Sequence, residues 1–318
     1  VTTEAADRSH GPGGLRRWLP WMMTAAALLL AAYLLRRIFN EHGWDEIRRS
    51  VAEIPAVRLG LTAAFAAASY LCLTVVDFLA VRSAGHRVAY RRCALASFTA
   101  LSIGHTVGLA VLSSGAIRYR FYSGWGLKAG DVARVIFFCA ITIGLALATL
   151  GGTALLLAPG LAVERTGLDA GLVRAAGAIA ILTPLAYLGL SASGRAHVRI
   201  YKWSLELPRL PLALGQVAIG PVNLACVAAC LHQALTATTE IPYLDVLTVY
   251  VIANVTALVS HVPGGLGVLE SVVLALVPGA NVVGGLVLFR VVYFLVPFVL
   301  GGLVLAAAEL ARRMQPRT

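Results

Sequence analysis

The sequence predicts an all-α polytopic membrane protein, built as an inverted repeat with three transmembrane helices and one re-entrant helical hairpin in each half. Three observations lead there. Hydrophobic residues make up 59% of the 318 and charged residues only 13%, where soluble domains carry roughly 25% charged. The apolar residues come in continuous runs rather than the alternation of a barrel strand, and many runs approach the ~20 residues a helix needs to cross a bilayer. The apolar runs also recur after about 150 residues, and the placement of the basic clusters between them fits one inverted duplication.

Residues 1–17 are polar and contain Gly and Pro, which predicts a disordered N-terminal tail. The first apolar run, Trp21–Leu35, lacks a small-residue cleavage site and reads as a retained helix rather than a signal peptide. Residues 40–55 place Trp44, Ile47, Val51 and Ile54 on one stripe, as in an interfacial amphipathic helix that Pro55 ends. The remaining apolar runs are Leu59–Val81, Cys93–Leu112, Val135–Leu157, Leu172–Leu190, Leu212–Leu235, Val246–Val262 and Val282–Ala308. A single transmembrane domain is therefore expected over 18–312, with repeat one at about 18–160, repeat two at about 168–312, and a basic C-terminal tail at 313–318.

Charge orients these runs. Arg16/Arg17, Arg82/Arg87/Arg91/Arg92, Arg195/Arg199/Lys202/Arg209 and Arg312/Arg313/Arg317 are the basic clusters, and positively charged loops stay in the cytoplasm. The segments around Glu164–Asp169 and Glu240–Asp245 are poor in positive charge and are expected outside. If every run crossed fully, the 195–209 cluster would fall on the wrong side. The conflict disappears if 93–128 enters from the cytoplasm and returns to it, and 243–280 does the same from the outer side. Six crossings and two hairpins result, with both termini cytoplasmic in a cell (inner or plasma) membrane. In the repeat alignment Ser114-Gly115 falls on Gly264-Gly265, and Arg120 on Glu270.

The hairpins hold the candidate site. Ser113-Ser114-Gly115-Ala-Ile-Arg118-Tyr119-Arg120-Phe121-Tyr122-Ser-Gly-Trp125-Gly brings two guanidinium groups, hydroxyls, small residues and aromatic rings to a segment between apolar runs. Charge at membrane depth is costly and marks function by default. Guanidinium suits bidentate phosphate binding, and hydroxyls with open N–H groups at a helix break suit an anionic head group. An ordinary cytoplasmic loop with topology-setting arginines is the competing reading. The second hairpin, Ser260-His261-Val262-Pro263-Gly264-Gly265-Leu-Gly-Val-Leu-Glu270, has a helix-breaking turn and a lone carboxylate. Glu270 is open to pairing with Arg118, Arg120 or Arg290, to accepting a proton, or to both. Asp77 and Arg290, inside helices, are expected to face the protein interior in structural pairs, and Asn254, His105 and His261 to form interhelical hydrogen bonds.

Other classes are disfavoured. The net charge of +11 sits in short loops and at the C-terminus, where it sets orientation and attracts anionic lipid, so no nucleic-acid partner is expected. Cys72, Cys93, Cys139, Cys226 and Cys230 form no CxxC pair and read as packing residues, and no two-His spacing suggests a metal. No phosphate-binding P-loop, nucleophile elbow or His-Glu-x-x-His is present, and no cofactor is expected.

The two motifs, Ser113 to Leu127 and His261 to Glu270, resemble the lysylphosphatidylglycerol synthase transmembrane region, the flippase part of the multiple peptide resistance factor and of related inner-membrane proteins. The resemblance covers about 18–312. It implies a lipid flippase-like transporter that moves an anionic or aminoacylated phospholipid, or another lipid-linked head group, between leaflets. By motif match Arg118, Arg120 and Glu270 inherit substrate handling, and Ser114, Gly115, Pro263, Gly264 and Gly265 inherit helix breaks. The resistance factor's soluble aminoacyl transferase domain has no counterpart in the sequence, so an enzyme is not expected. Expected partners are membrane phospholipids. Two other readings are a membrane-embedded transferase with Glu270 or His261 as base, and a membrane subunit for a separately encoded lipid-modifying enzyme.

Overall fold

The computed structural model describes residues 54–107, 110–193, 197–200, 203–237, 240–260, 267–277 and 282–314. The N-terminal tail, the helix expected from Trp21 and most of the surface helix expected at 40–55 lie outside them. The described chain is helical apart from one short hairpin. Its helices are α1 (Ala56–Ser83), α2 (Tyr90–Val107), α3 (Ala110–Ser123), α4 (Ala129–Leu157), α5 (Gly160–Thr166), α6 (Ala170–Ala192), α7 (Leu210–Leu235), α8 (Tyr243–Ser260), α9 (Val268–Leu276), α10 (Val283–Arg290) and α11 (Val296–Met314). A π-helical segment, Val291–Leu295, joins α10 to α11 without interrupting the rod.

Six helices among the described residues are long and apolar enough to cross a membrane: Ala56–Ser83, Ala129–Leu157, Ala170–Ala192, Leu210–Leu235, Tyr243–Ser260 and Val283–Ala311. Five coincide with crossings expected from the sequence, and the sixth, α8, is the first limb of the second expected hairpin. Helix α9 has nine residues, so at 1.5 Å per residue it extends only about 13 Å, less than half of the ~30 Å hydrocarbon core.

Two features correct the sequence reading. Ser114 and Gly115 were expected to break a helix, but both lie inside α3. Gly115 is buried where an added Cβ would meet Ile136 at 3.0 Å, so its smallness admits α4 rather than a turn. The second feature is the hairpin of β1 (His197–Ile200) and β2 (Trp203–Glu206) between α6 and α7, in a stretch expected only to be a basic loop.

The bundle is organised around α1 and α7, which pack along their lengths. Helix α2 packs on α1, α3 and α11; α4 packs on α1, α6, α7 and α8; α7 also holds α8 and α10; α9 packs on α8. One core joins Tyr70 and Leu73 of α1 to Leu231 and Leu235 of α7, Val249 of α8, Val273 of α9 and Phe289 of α10. A second joins Val81, Ala96, Ile117, Phe121, Val135 and Phe298. Between membrane helices the drive to associate is close packing, not exclusion of water, so small residues sit at the crossings. At Gly285 an added Cβ would lie 2.6 Å from the Ala234 carbonyl oxygen and 2.9 Å from the Leu235 Cα. Backbone cannot yield as a side chain does. Gly285→Val is therefore expected to destabilise by about 1–3 kcal/mol, read as a lowered unfolding midpoint of the purified protein.

Candidate functional site

Arg118 is three per cent exposed on α3, and Asp77 is fully buried on α1. The guanidinium reaches Asp77 side-on: Nε donates to Oδ1 and Oδ2 at 3.2 and 3.1 Å, and Nη2 donates to Oδ1 at 2.7 Å. Nη1 donates to Ser114 Oγ at 3.1 Å, one turn back on the same helix. The Tyr122 hydroxyl, one turn on, donates to Asp77 Oδ2 at 2.8 Å, and the Cys139 thiol of α4 approaches Oδ1 at 3.4 Å. Residues 114, 118 and 122 are four apart, so one face of α3 presents Arg118 and Tyr122 to the carboxylate and Ser114 to the guanidinium. Two opposite charges are thus taken out of water together, with hydrogen bonds filling the carboxylate's lone pairs, the arrangement in which a buried pair is tolerated.

Asp77 and Arg118 line one end of a cavity of about 50 Å³ that also touches His105, Thr142 and Asn223. At roughly 15 Å³ per water it holds about three waters, far less than a phospholipid head group. Asn223 Oδ1 accepts from Ser69 at 2.7 Å, and Ser69 Oγ lies 3.0 Å from the Tyr293 hydroxyl. The His105 ring stacks on Tyr293 at 6.5 Å. Tyr293 belongs to the π-helical segment, where its carbonyl accepts from the Tyr70 hydroxyl at 3.2 Å. π-Bulges concentrate at functional positions because the widened turn re-aims side chains and frees backbone acceptors.

A second ion pair lies at α9. Arg290, eight per cent exposed, grips Glu270 with two hydrogen bonds, Nε to Oε1 at 2.6 Å and Nη2 to Oε2 at 2.9 Å, and its guanidinium sits 4.7 Å from the Phe294 ring centre. The Glu270 side chain is 30% exposed, so unlike Asp77 it reaches the surface of the protein. Of the pairings left open by the sequence, the structure forms Glu270 with Arg290.

Arg120 does not join Arg118. It pairs with Glu309 of α11, on the other side of α3, and its side chain is 39% exposed. Tyr119 is likewise exposed while Tyr122 is fully buried, and Ser113 is half-buried. Asn254 donates to the Tyr250 carbonyl of its own helix at 2.8 Å and joins neither pair. His261, Pro263, Gly264 and Gly265 lie outside the described residues. Among the described residues, no group of three metal-ligating side chains comes together.

The fold also uses several polar residues that lie outside the two hairpin motifs. Gln216 is fully buried on α7; its amide donates to the Phe138 carbonyl at 3.1 Å and to Thr142 Oγ1 at 2.9 Å, while its oxygen accepts from Tyr187 of α6, so it ties three helices. Asn223, Ser69, Tyr293 and Glu309 belong with it. For Gln216 and Asn223 the available signal was an amide inside an apolar run, which must find a partner or remain unsatisfied in lipid.

A bundle of apolar helices that buries ion pairs between its spans defines a multi-pass integral membrane protein. A family model described as the lysylphosphatidylglycerol synthase TM region matches residues 24–301, and the chain belongs to that family. It is 28% identical over 309 residues to "Uncharacterized protein slr0712" of Synechocystis, covering 95% of each chain. It is 26% identical over 291 residues to "Inner membrane protein YbhN" of Escherichia coli, covering 90% of this chain and 89% of that one.

Proposed function

We propose that this protein is a flippase-like transporter that carries the polar head group of an anionic or aminoacylated lipid between leaflets of the cell (inner or plasma) membrane. The observation that carries the reading is Arg118: a buried guanidinium, anchored by Asp77 and Ser114, that still lines a small, mostly apolar cavity between α1, α2, α3, α4 and α7. Its planar fork has five N–H donors, and Asp77 and Ser114 do not engage them all. The remainder of the fork meets the phosphate oxygen when the cavity widens. Asp77 neutralises the arginine while the cavity is closed, so the empty carrier can reset without moving an uncompensated charge. Energy coupling, if any, falls to Glu270 rather than Asp77, because only Glu270 reaches the surface.

An inverted repeat with two re-entrant hairpins supplies the motion in this reading, with both termini cytoplasmic and repeat boundaries at about 18–160 and 168–312. Support comes from neighbours. Helices α2 and α8 are each followed by a helix that packs on them. Exchanging the halves maps α1 on α2 to α7 on α8, α1 on α4 to α7 on α10, and α2 on α11 to α8 on α4, and all six contacts occur. Rocking of one half against the other would open the cavity to each side in turn.

The test is transbilayer movement of a labelled anionic phospholipid in liposomes. Arg118→Lys keeps the charge but loses the fork, and is expected to slow movement at least about tenfold, the loss of ~1.4 kcal/mol of head-group binding. Arg120→Ala is expected to stay near the parent rate, since Arg120 faces Glu309. Parent-like movement in a folded Arg118→Lys protein would remove Arg118 from head-group binding.

A further inference from the structure

The β1–β2 hairpin takes no part in the site above. Its register pairs His197 with Glu206, Val198 with Leu205, Arg199 with Ser204 and Ile200 with Trp203. Directly paired residues share a face and successive residues alternate. One face therefore carries the positions of Val198, Ile200, Trp203 and Leu205, all apolar. The other carries His197, Arg199, Ser204 and Glu206, all polar. No other described element packs broadly on either strand. A lone two-stranded hairpin is marginal in water, so an apolar face of this kind needs a cover.

The chain says what the cover is. The hairpin is bracketed by α6 and α7, both long and apolar enough to span a membrane, which hold it at the edge of the bilayer they cross. Between Ala192 and Leu210 the sequence has Arg195, Arg199, Lys202 and Arg209 against Glu206 alone. Tryptophan and basic residues are the side chains that favour the boundary between acyl chains and head groups, the basic ones where anionic lipid is present.

We propose that this hairpin is a membrane-surface latch, lying flat with the Val198/Ile200/Trp203/Leu205 face in the interface and its basic residues among anionic lipid head groups. It holds the ends of α6 and α7 at a fixed depth and concentrates anionic lipid at that side of the protein. The inference is independent of the transport reading and stands if no lipid is moved.

The test is nitroxide scanning of the full-length protein in vesicles. Cysteines introduced singly at Val198, Ile200, Trp203 and Leu205, and at His197, Arg199, Ser204 and Glu206, are labelled, and the parent protein's background is subtracted. The expected result is an accessibility that alternates residue by residue: the first set collides severalfold more with oxygen, which partitions into lipid, and the second with a water-soluble nickel chelate. The first set should sit deeper in vesicles containing phosphatidylglycerol than in pure phosphatidylcholine. Loss of alternation would overturn the proposal. So would shielding of the first set from both reagents, which would mean that protein covers the face. Depth indifferent to lipid charge would overturn the anionic-lipid part.

Discussion

Asp77→Ala is expected to lower stability by about 3–5 kcal/mol, the cost of stranding a buried charge by removing its partner. Arg118 is three per cent exposed and its remaining fixed acceptor, Ser114, is neutral. The small cavity it lines has room for about three waters, too few to replace the carboxylate's charge. The Tyr122 hydroxyl and the Cys139 thiol lose their acceptor in the same step. Asp77→Asn should fall between parent and alanine variant, because the amide oxygen still accepts one bond but offers no charge. The double variant Asp77→Leu/Arg118→Met should recover much of the loss, since replacing both members of a buried pair with apolar groups of similar volume is often neutral or stabilising. Unfolding midpoints of the purified proteins in one detergent check all three. A double variant as unstable as Asp77→Ala would show that the site is held by something other than charge compensation. The restored variant should still fail to move lipid, because stability returns without the guanidinium.

The spans were legible because hydropathy is a local quantity. Any long apolar run has to cross or be buried, and α1, α4, α6, α7 and the α10–α11 rod follow the runs in the sequence closely. That Asp77 and Arg290 each need an interior partner was legible for the same reason. Which partner was not. Pairing is decided by which helix faces meet, and neither sequence distance nor charge sign contains that. Arg118 and Arg120, which the resemblance gave a shared role in substrate handling, point to different sides of α3, because two positions on a helix are about 200° apart. Ser113-Ser114-Gly115 misled in a related way. In a soluble protein such a run often marks a turn, whereas between membrane helices small residues mark a close crossing, and Gly115 against Ile136 is one. The β1–β2 hairpin was hidden because its apolar positions, at period two over four-residue strands, sit among basic residues that set topology.

Arg290→Ala should have a different signature from Asp77→Ala: a large local effect with a smaller global one. Helix α9 is short and packs broadly only on α8 among the described elements. Besides core packing, it is tied to the last rod by the two-pronged grip of Arg290 on Glu270 at 2.6 and 2.9 Å. Removing Arg290 also ends its contact with Phe294, inside the π-helical segment. Glu270 reaches the surface, so it can regain water or a proton, and the full penalty of a stranded charge does not apply; a global loss of about 1–3 kcal/mol is expected. The local consequence is that α9 comes off the rod. Amide exchange over 267–277 should rise by one to two orders of magnitude relative to α7, about the factor that 1–3 kcal/mol of lost docking allows. In Asp77→Ala, by contrast, α1, α3 and α4 should become labile while α9 stays protected. Lipid movement should fall in Arg290→Ala despite an intact α1–α7 core, because α9 carries the Glu270 carboxylate. If α9 stayed protected in Arg290→Ala, the pair would not be what holds it, and the case for Glu270 as the coupling carboxylate would lose its structural footing. Glu270→Gln separates the two roles: the amide can still accept from Arg290 and keep α9 docked, so slower movement with unchanged exchange would assign the loss to the charge itself.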